Sequence, residues 1–82
     1  MNDVKIYLFA TLRDYTGAKS IQMKIPIETT VGELKDLLIN DHPRLSPVRN
    51  LMMAAINREY AADEQLIPIN AEIAFFPPVS GG

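Results

Sequence analysis

The chain has 82 residues, enough for one small domain and too few for two. Apolar residues make up 48% of it and charged residues 22%, which are the proportions of a packed globular protein rather than a disordered one. The absence of cysteine excludes disulfides and zinc–thiolate sites, and a net charge of −2 argues against a nucleic-acid partner, because phosphate binding needs a basic surface.

Alternation of apolar residues predicts two strands at the start of the chain. In residues 4–12 one face carries Val4, Ile6, Leu8, Ala10 and Leu12, and the other carries Lys5, Tyr7, Phe9 and Thr11. Residues 21–27 alternate again, with all four apolar residues on one face, and residues 13–19 between the two strands suit a hairpin loop. Pro26 has no N–H to donate, so the second strand is expected to lie at a sheet edge or to end there.

A helix is predicted to begin after Thr30. Thr30 and Glu33 have the spacing of a capping box, in which each side chain bonds the other residue's backbone N–H. The apolar residues that follow recur at three- and four-residue steps and form one stripe: Val31, Leu34, Leu37 and Leu38. His42 precedes Pro43 and is therefore expected to end the helix.

The second half of the chain is predicted to add strands and no long helix. In order, it holds an ambiguous stretch or short helical turn at 45–50, a buried strand at 51–56, a turn at 57–59, a short strand and turn at 60–66, and a last strand at 72–76. The element order β-β-α-β-(β)-β predicts an α+β domain. Its mixed sheet would be covered on one face by the single main helix, since nothing else is long enough to do so.

The sequence offers few catalytic groups. His42, the only histidine, is interpreted as a helix-end residue, and Glu33, Asp36 and Asp41 as a solvated carboxylate face rather than a metal or catalytic site. We therefore expect no metal site and no cofactor bound by this chain. Residues 1–5 lack the basic start of a secretory signal and no segment has the length of a membrane span, so a cytoplasmic protein without membrane contact is expected.

The segment 77–82 carries the most informative pattern. Pro77 and Pro78 in polyproline II geometry would project about 6 Å, and the four residues after them can reach about 13–14 Å more. Gly81 and Gly82 have no Cβ, so a narrow channel can close around their backbone. The alternatives at this point are a frayed terminus and a cloning remnant.

Four segments resemble the ubiquitin-like sulfur carriers of the MoaD/ThiS type, a family that includes small subunits of molybdopterin synthase. They are K-I-Y-L-F-A-T-L-R at 5–13, T-V-G-E-L at 30–34, A-I-N-R-E-Y at 55–60 and F-F-P-P-V-S-G-G at 75–82. One departure is the sequence I-N-A-E at 69–72, where the family usually has Asp-Gly-Asp-Glu. Asn70 is expected to replace the glycine there, because asparagine tolerates a positive φ.

The resemblance implies a β-grasp domain over residues 1–76 and an extended Gly-Gly tail over 77–82. It implies that an E1-like adenylyltransferase uses ATP to adenylate the carboxylate of Gly82, after which sulfur replaces an oxygen. The thiocarboxylate would enter the large subunit of molybdopterin synthase, within a heterotetramer, and donate sulfur to cyclic pyranopterin monophosphate. In that scheme Gly81 and Gly82 are the reacting end, and the catalytic side chains belong to the partners, so the carrier alone is not an enzyme.

Three other functions fit the same pattern. One is a sulfur carrier for thiamine thiazole synthesis, and another is a ubiquitin-related modifier used in tRNA thiolation or attached to protein lysines. The third is a ubiquitin-fold binding module whose tail is inert.

A partner-binding face is predicted on the side of the sheet that the helix leaves open. Period-two geometry places Ile73 and Phe75 inward and Phe76 outward, beside Phe9 of the first strand and near Tyr60. Arg13, at the end of the same strand as Phe9, is expected to add a charge at the rim, and the alternative is that loops cover the rings. The predicted partner contacts are Phe9, Arg13, Tyr60 and Phe76, continued by Pro77, Pro78, Val79 and Ser80.

Overall fold

A computed structural model of the protein describes residues 1–78 and contains one five-stranded sheet. The strands are β1 (Asn2–Leu8), β2 (Ser20–Ile25), β3 (Met53–Ile56), β4 (Glu59–Ala61) and β5 (Glu72–Phe76). The helices are α1 (Thr11–Thr16), α2 (Val31–Asp41) and a 3-10 helix (Pro43–Leu51). Within residues 1–78, none of these helices is long and apolar enough to cross a membrane.

The strands lie in the order β2-β1-β5-β3-β4. The central pair, β1 and β5, is parallel, and the other three pairs are antiparallel. A parallel pair needs a long crossover between its strands, and here that connection contains all the remaining elements. The predicted α+β class, with a mixed β-grasp sheet and one main helix, is confirmed.

The core lies between the sheet and α2. The buried side chains include Val4, Ile6 and Leu8 of β1, Ile73 and Phe75 of β5, and Val31, Leu34 and Leu38 of α2. The predicted inward faces of the two central strands are therefore confirmed. The predicted apolar stripe of α2 is buried except at Leu37, which is 38% exposed.

The predicted capping box begins α2. The Thr30 hydroxyl accepts the Glu33 N–H at 3.2 Å, and a Glu33 carboxylate oxygen accepts the Thr30 N–H at 2.9 Å. At the other end, His42 donates its N–H to the carbonyl of Leu38, and Pro43 begins the 3-10 helix. The interpretation of His42 as a helix-end residue is confirmed.

The prediction of a strand through residue 12 was wrong, because β1 ends at Leu8 and α1 replaces the expected hairpin loop. Ala10 has φ 53° and ψ −128°, which turns the chain out of the sheet. Leu12 is buried as predicted, but it reaches the core from a helix. Gly17 closes α1 in the left-handed conformation, with φ 73°.

Two further boundaries differ from the prediction. β2 ends at Ile25 and lies at the sheet edge, as expected from Pro26, but Ile27 is 58% exposed instead of facing the core. Proline cannot extend a ladder, so the residues beyond it leave the sheet. Leu51 is also exposed, since it ends the 3-10 helix and β3 begins two residues later.

The turn before β5 has the conformation that the sequence predicts. Asn70 has φ 58°, so it occupies the conformation that glycine adopts most readily. Its N–H donates to the buried side chain of Asn2 at 2.7 Å, and the Asn2 amide donates to the carbonyl of Pro68 at 2.9 Å. Asn2 thus fastens this turn beside β1.

Candidate docking face and C-terminal arm

Three aromatic side chains group on the sheet face opposite α2. The rings of Phe9 and Phe76 are stacked, with centroids 5.0 Å apart and planes 13° apart. The Tyr60 ring lies 6.3 Å from that of Phe76. Phe9 and Tyr60 are exposed and Phe76 is half-buried, so no loop within residues 1–78 covers the cluster. The predicted proximity of these rings is confirmed.

Strand register explains why the rings share one face. Met53 of β3 is paired with Phe76, and Ala55 is paired with both Ala74 of β5 and Tyr60 of β4. The two alanines are too small to fill the space between the larger side chains. They form the floor of a groove of about 490 Å³, which is lined by Tyr7, Phe9, Ala55, Arg58, Tyr60, Glu72, Ile73, Ala74 and Phe76.

The predicted position of Arg13 was wrong. It lies exposed in α1 rather than at the end of a strand, and it does not line the groove. Thr11 likewise begins α1 and is not part of the sheet face. The cation that lines the groove is Arg58. The position of Arg58 could have been inferred from the sequence, because the predicted turn at 57–59 lies beside Tyr60.

Arg58 belongs to a two-residue turn between β3 and β4. Asn57 and Arg58 both have positive φ, 47° and 75°, as type I′ hairpin turns require. The Asn57 N–H donates to the carbonyl of Glu72 at 2.8 Å, and the Glu72 N–H donates to the Asn57 side chain at 3.0 Å. These bonds fasten the turn to β5 at one end of the groove.

The polar rim of the groove lies on its β1 side. The hydroxyl of Tyr7 donates to the Glu72 carboxylate at 3.4 Å. The Lys5 ammonium lies 5.2 Å from the centroid of the Tyr7 ring, within the range of a cation–π contact.

The C-terminal arm starts at the aromatic cluster. Phe76 is the last residue of β5, and the half-buried Pro77 and exposed Pro78 follow it directly. Val79, Ser80, Gly81 and Gly82, which were also predicted as site residues, lie outside the described part of the chain.

A network of charged side chains, away from the groove, connects α2 to the rest of the domain. The buried Lys35 ammonium donates to Asp63 and to the carbonyl of Met52, each at 2.7 Å. Arg49 bonds Asp36 at 2.8 Å, Asp63 at 3.4 Å and the carbonyl of Gly32 at 3.1 Å. The hydrogen bond from Lys35 holds the pKa of the Asp63 carboxyl below its ordinary value and outweighs the opposing effect of burial. Each charged group of this network bonds another group of the domain, and we assign the network to stability.

Two of the carboxylates on α2, those of Glu33 and Asp36, bond groups of the domain itself. Hydrogen bonds from the Thr30 backbone and hydroxyl lower the pKa of Glu33, and Asp36 pairs with Arg49. Among residues 1–78, no group of three or more histidine, aspartate or glutamate side chains could hold a metal ion. The Lys35–Asp63 pair was not predicted from the sequence, although a lysine four residues after Val31 falls on the buried stripe of the helix.

A mixed sheet with parallel central strands, packed on one helix and bearing the groove on its other face, defines a ubiquitin-like β-grasp protein. The crystal structure of SAMP1 from Haloferax volcanii has the same fold, with a TM-score of 0.85 and 31% identity over 99% of this chain and 100% of that one. The chain belongs to the ThiS family, whose model matches residues 6–82. The resemblance found in the sequence is therefore confirmed.

Two molybdopterin synthase sulfur carrier subunits match almost the whole chain. The molybdopterin synthase sulfur carrier subunit of Dictyostelium discoideum is 39% identical over 99% of this chain and 98% of its own length. The protein of the same name from Arabidopsis thaliana is 35% identical over 98% of this chain and 83% of its own.

Proposed function

We propose that this protein is the sulfur-carrier subunit of a molybdopterin synthase. The observation that carries the proposal is similarity over nearly the full length of carriers of that name, combined with a family match that extends through Gly81 and Gly82. The exposed aromatic face beside the start of the C-terminal arm supports it, because a carrier needs a surface by which enzymes recognise it.

The proposed chemistry takes place at the carboxylate of Gly82. An E1-like adenylyltransferase would transfer AMP from ATP to this carboxylate and release pyrophosphate. Hydrosulfide released by a sulfur donor then attacks the acyl carbon and expels AMP, leaving a thiocarboxylate and a proton. In the large subunit, that sulfur would pass to cyclic pyranopterin monophosphate. ATP and the catalytic side chains thus belong to the partners, and the carrier acts as a cosubstrate.

The arm and the groove would have different roles in recognition by the partner enzymes. Pro77 and Pro78 restrict the backbone directly after β5, while Gly81 and Gly82 add no side chain that a narrow channel must exclude. Phe9, Tyr60 and Phe76 supply the apolar area that docking would bury. Aromatic side chains of this kind often dominate the affinity of protein interfaces.

A protein modifier is the second candidate, because small archaeal modifier protein 1 of Haloferax volcanii is 31% identical over 92% of this chain. The same activated carboxylate would then be joined to lysine amines. The two functions predict different products: free thiocarboxylate carrier in one case and isopeptide-linked adducts in the other.

Reconstitution tests the proposal. The 82-residue chain is incubated with the activating enzyme, ATP and a sulfur donor, and intact-mass spectrometry should show one oxygen replaced by sulfur at Gly82. Adding the large subunit and cyclic pyranopterin monophosphate should then yield the dithiolene product. A chain lacking Gly82 is the control and should remain unmodified. Unmodified full-length chain, or adducts without thiocarboxylate, would contradict the proposal.

A further inference from the structure

Arg58 occupies a backbone position that glycine would adopt more easily. It is the second central residue of the β3–β4 turn and has φ 75°. Asparagine followed by glycine is the preferred pair for such turns, since a side chain at positive φ is sterically disfavoured. Asn57 fits this preference and Arg58 does not. A strained residue retained at the edge of a binding groove points to a function for its side chain.

The Arg58 side chain has no hydrogen-bond or ion-pair partner in the described part of the chain. It lines the groove together with Tyr60 and Phe76. Within residues 1–78 its guanidinium takes part in none of the hydrogen bonds or ion pairs. Arg49 provides a contrast, because two carboxylates and a backbone carbonyl bind its guanidinium.

The groove lining contains one other charge, the carboxylate of Glu72. That carboxylate accepts the Tyr7 hydroxyl, and Lys5 is the cross-strand neighbour of Glu72 in β1. Glu72 is therefore engaged on the β1 side of the groove. The opposite side, formed by the β3–β4 turn, presents Arg58 as the sole cation among the described lining residues.

We propose that Arg58 is a specificity-determining residue that receives an aspartate or glutamate side chain of the synthase large subunit. This inference rests on the proposed function and names the chemistry of its partner. A guanidinium binds a carboxylate through two parallel hydrogen bonds, which fixes orientation as well as attraction. Next to apolar rings that exclude water on docking, such a pair would be screened less than one on an open surface.

The test compares Arg58→Gly with Arg44→Ala, which removes an exposed cation of the 3-10 helix that does not line the groove. Binding to the large subunit is measured by titration calorimetry at low and high salt, together with the melting temperature of each carrier. Arg58→Gly should melt at the same temperature as the wild type or higher, because glycine relieves the turn. Its affinity should fall about tenfold, and its salt dependence should become shallower.

Two further variants sharpen the result. Arg58→Lys keeps the charge without the planar fork and should bind with intermediate affinity, while Arg58→Glu should bind more weakly than Arg58→Gly. Wild-type affinity and salt dependence in Arg58→Gly, or equal losses in Arg58→Gly and Arg44→Ala, would overturn the role of Arg58 and leave the proposed function standing. A wild-type chain that fails to bind the large subunit would overturn both.

Discussion

Lys35 and Asp63 form an ion pair with 2.7 Å between the ammonium nitrogen and the nearer carboxylate oxygen. The Lys35 side chain is 6% exposed and that of Asp63 is 40% exposed, so a buried cation meets an anion at the surface. Asp63 also accepts the Gly32 N–H through its backbone carbonyl. Asp63 thus joins the first turns of α2, through Gly32 and Lys35, to the segment that follows β4.

Truncation of Lys35 should destabilise the fold. Lys35→Ala removes the donor that bonds the Met52 carbonyl and creates a cavity where the lysine stem lies. We expect the free energy of unfolding to fall by about 2 kcal/mol. Lys35→Met retains the stem and should cost less, at about 1 kcal/mol. Urea denaturation measures both values. Equal losses in the two variants would mean that the charge rather than the packed stem carries the stability.

The contribution of Asp63 should depend on pH. Its carboxyl has a pKa below the ordinary value of 3.8, so the unfolded chain binds its proton more readily than the folded one. The stabilisation is therefore fully present above about pH 4 and is lost as the pH falls through the lower pKa of the folded state. Asp63→Asn should be less stable than the wild type at pH 7, and the difference should shrink below pH 4. A difference that stays constant down to pH 2 would contradict this assignment.

Phe75 and Phe76 are adjacent in the chain and should behave in opposite ways. Phe76→Ala removes a ring from the groove, so affinity for the large subunit and the activating enzyme should fall about thirtyfold, with only a small loss of stability. Phe75→Ala empties a fully buried site and should cost about 3–5 kcal/mol. Thermal unfolding and binding titrations decide the matter. Strong destabilisation by Phe76→Ala would show that the ring belongs to the core.

Gly81→Val should separate folding from transfer. The melting temperature should be unchanged, because the buried core described within residues 1–78 runs from Val4 to Phe75. Adenylation or sulfur transfer should be blocked, since the added side chain would obstruct a channel fitted to bare backbone. Intact-mass spectrometry after activation gives the readout, and Gly81→Ala, which adds a single methyl group, should impair transfer less than Gly81→Val. Normal turnover by the valine variant would show that no such channel exists.

The local pattern of the sequence determined most elements of this fold. The alternation in β1 and β5, the capping box of α2 and the Asn70 turn depend on residues within a few positions of one another, and each was predicted from them. The bounds of β1 were the exception, since the strand was predicted over residues 4–12 and lies at Asn2–Leu8. The proximity of Phe9 and Phe76 also followed from sequence, once the β-grasp resemblance set β1 beside β5. Such patterns suffice because period-two and helical spacing act through neighbouring residues.

Tertiary structure alone decided the rest. Leu12 stands four residues after Leu8, a spacing that suits a strand face and a helix equally, and the positive φ of Ala10 selects the helix. Lys35 and Asp63 are 28 positions apart, and only the docking of α2 against the segment after β4 brings them into contact. Arg58 replaces Arg13 at the groove for the same reason: a side chain's place on a surface depends on which strands become neighbours, and that is determined by packing of the whole sheet.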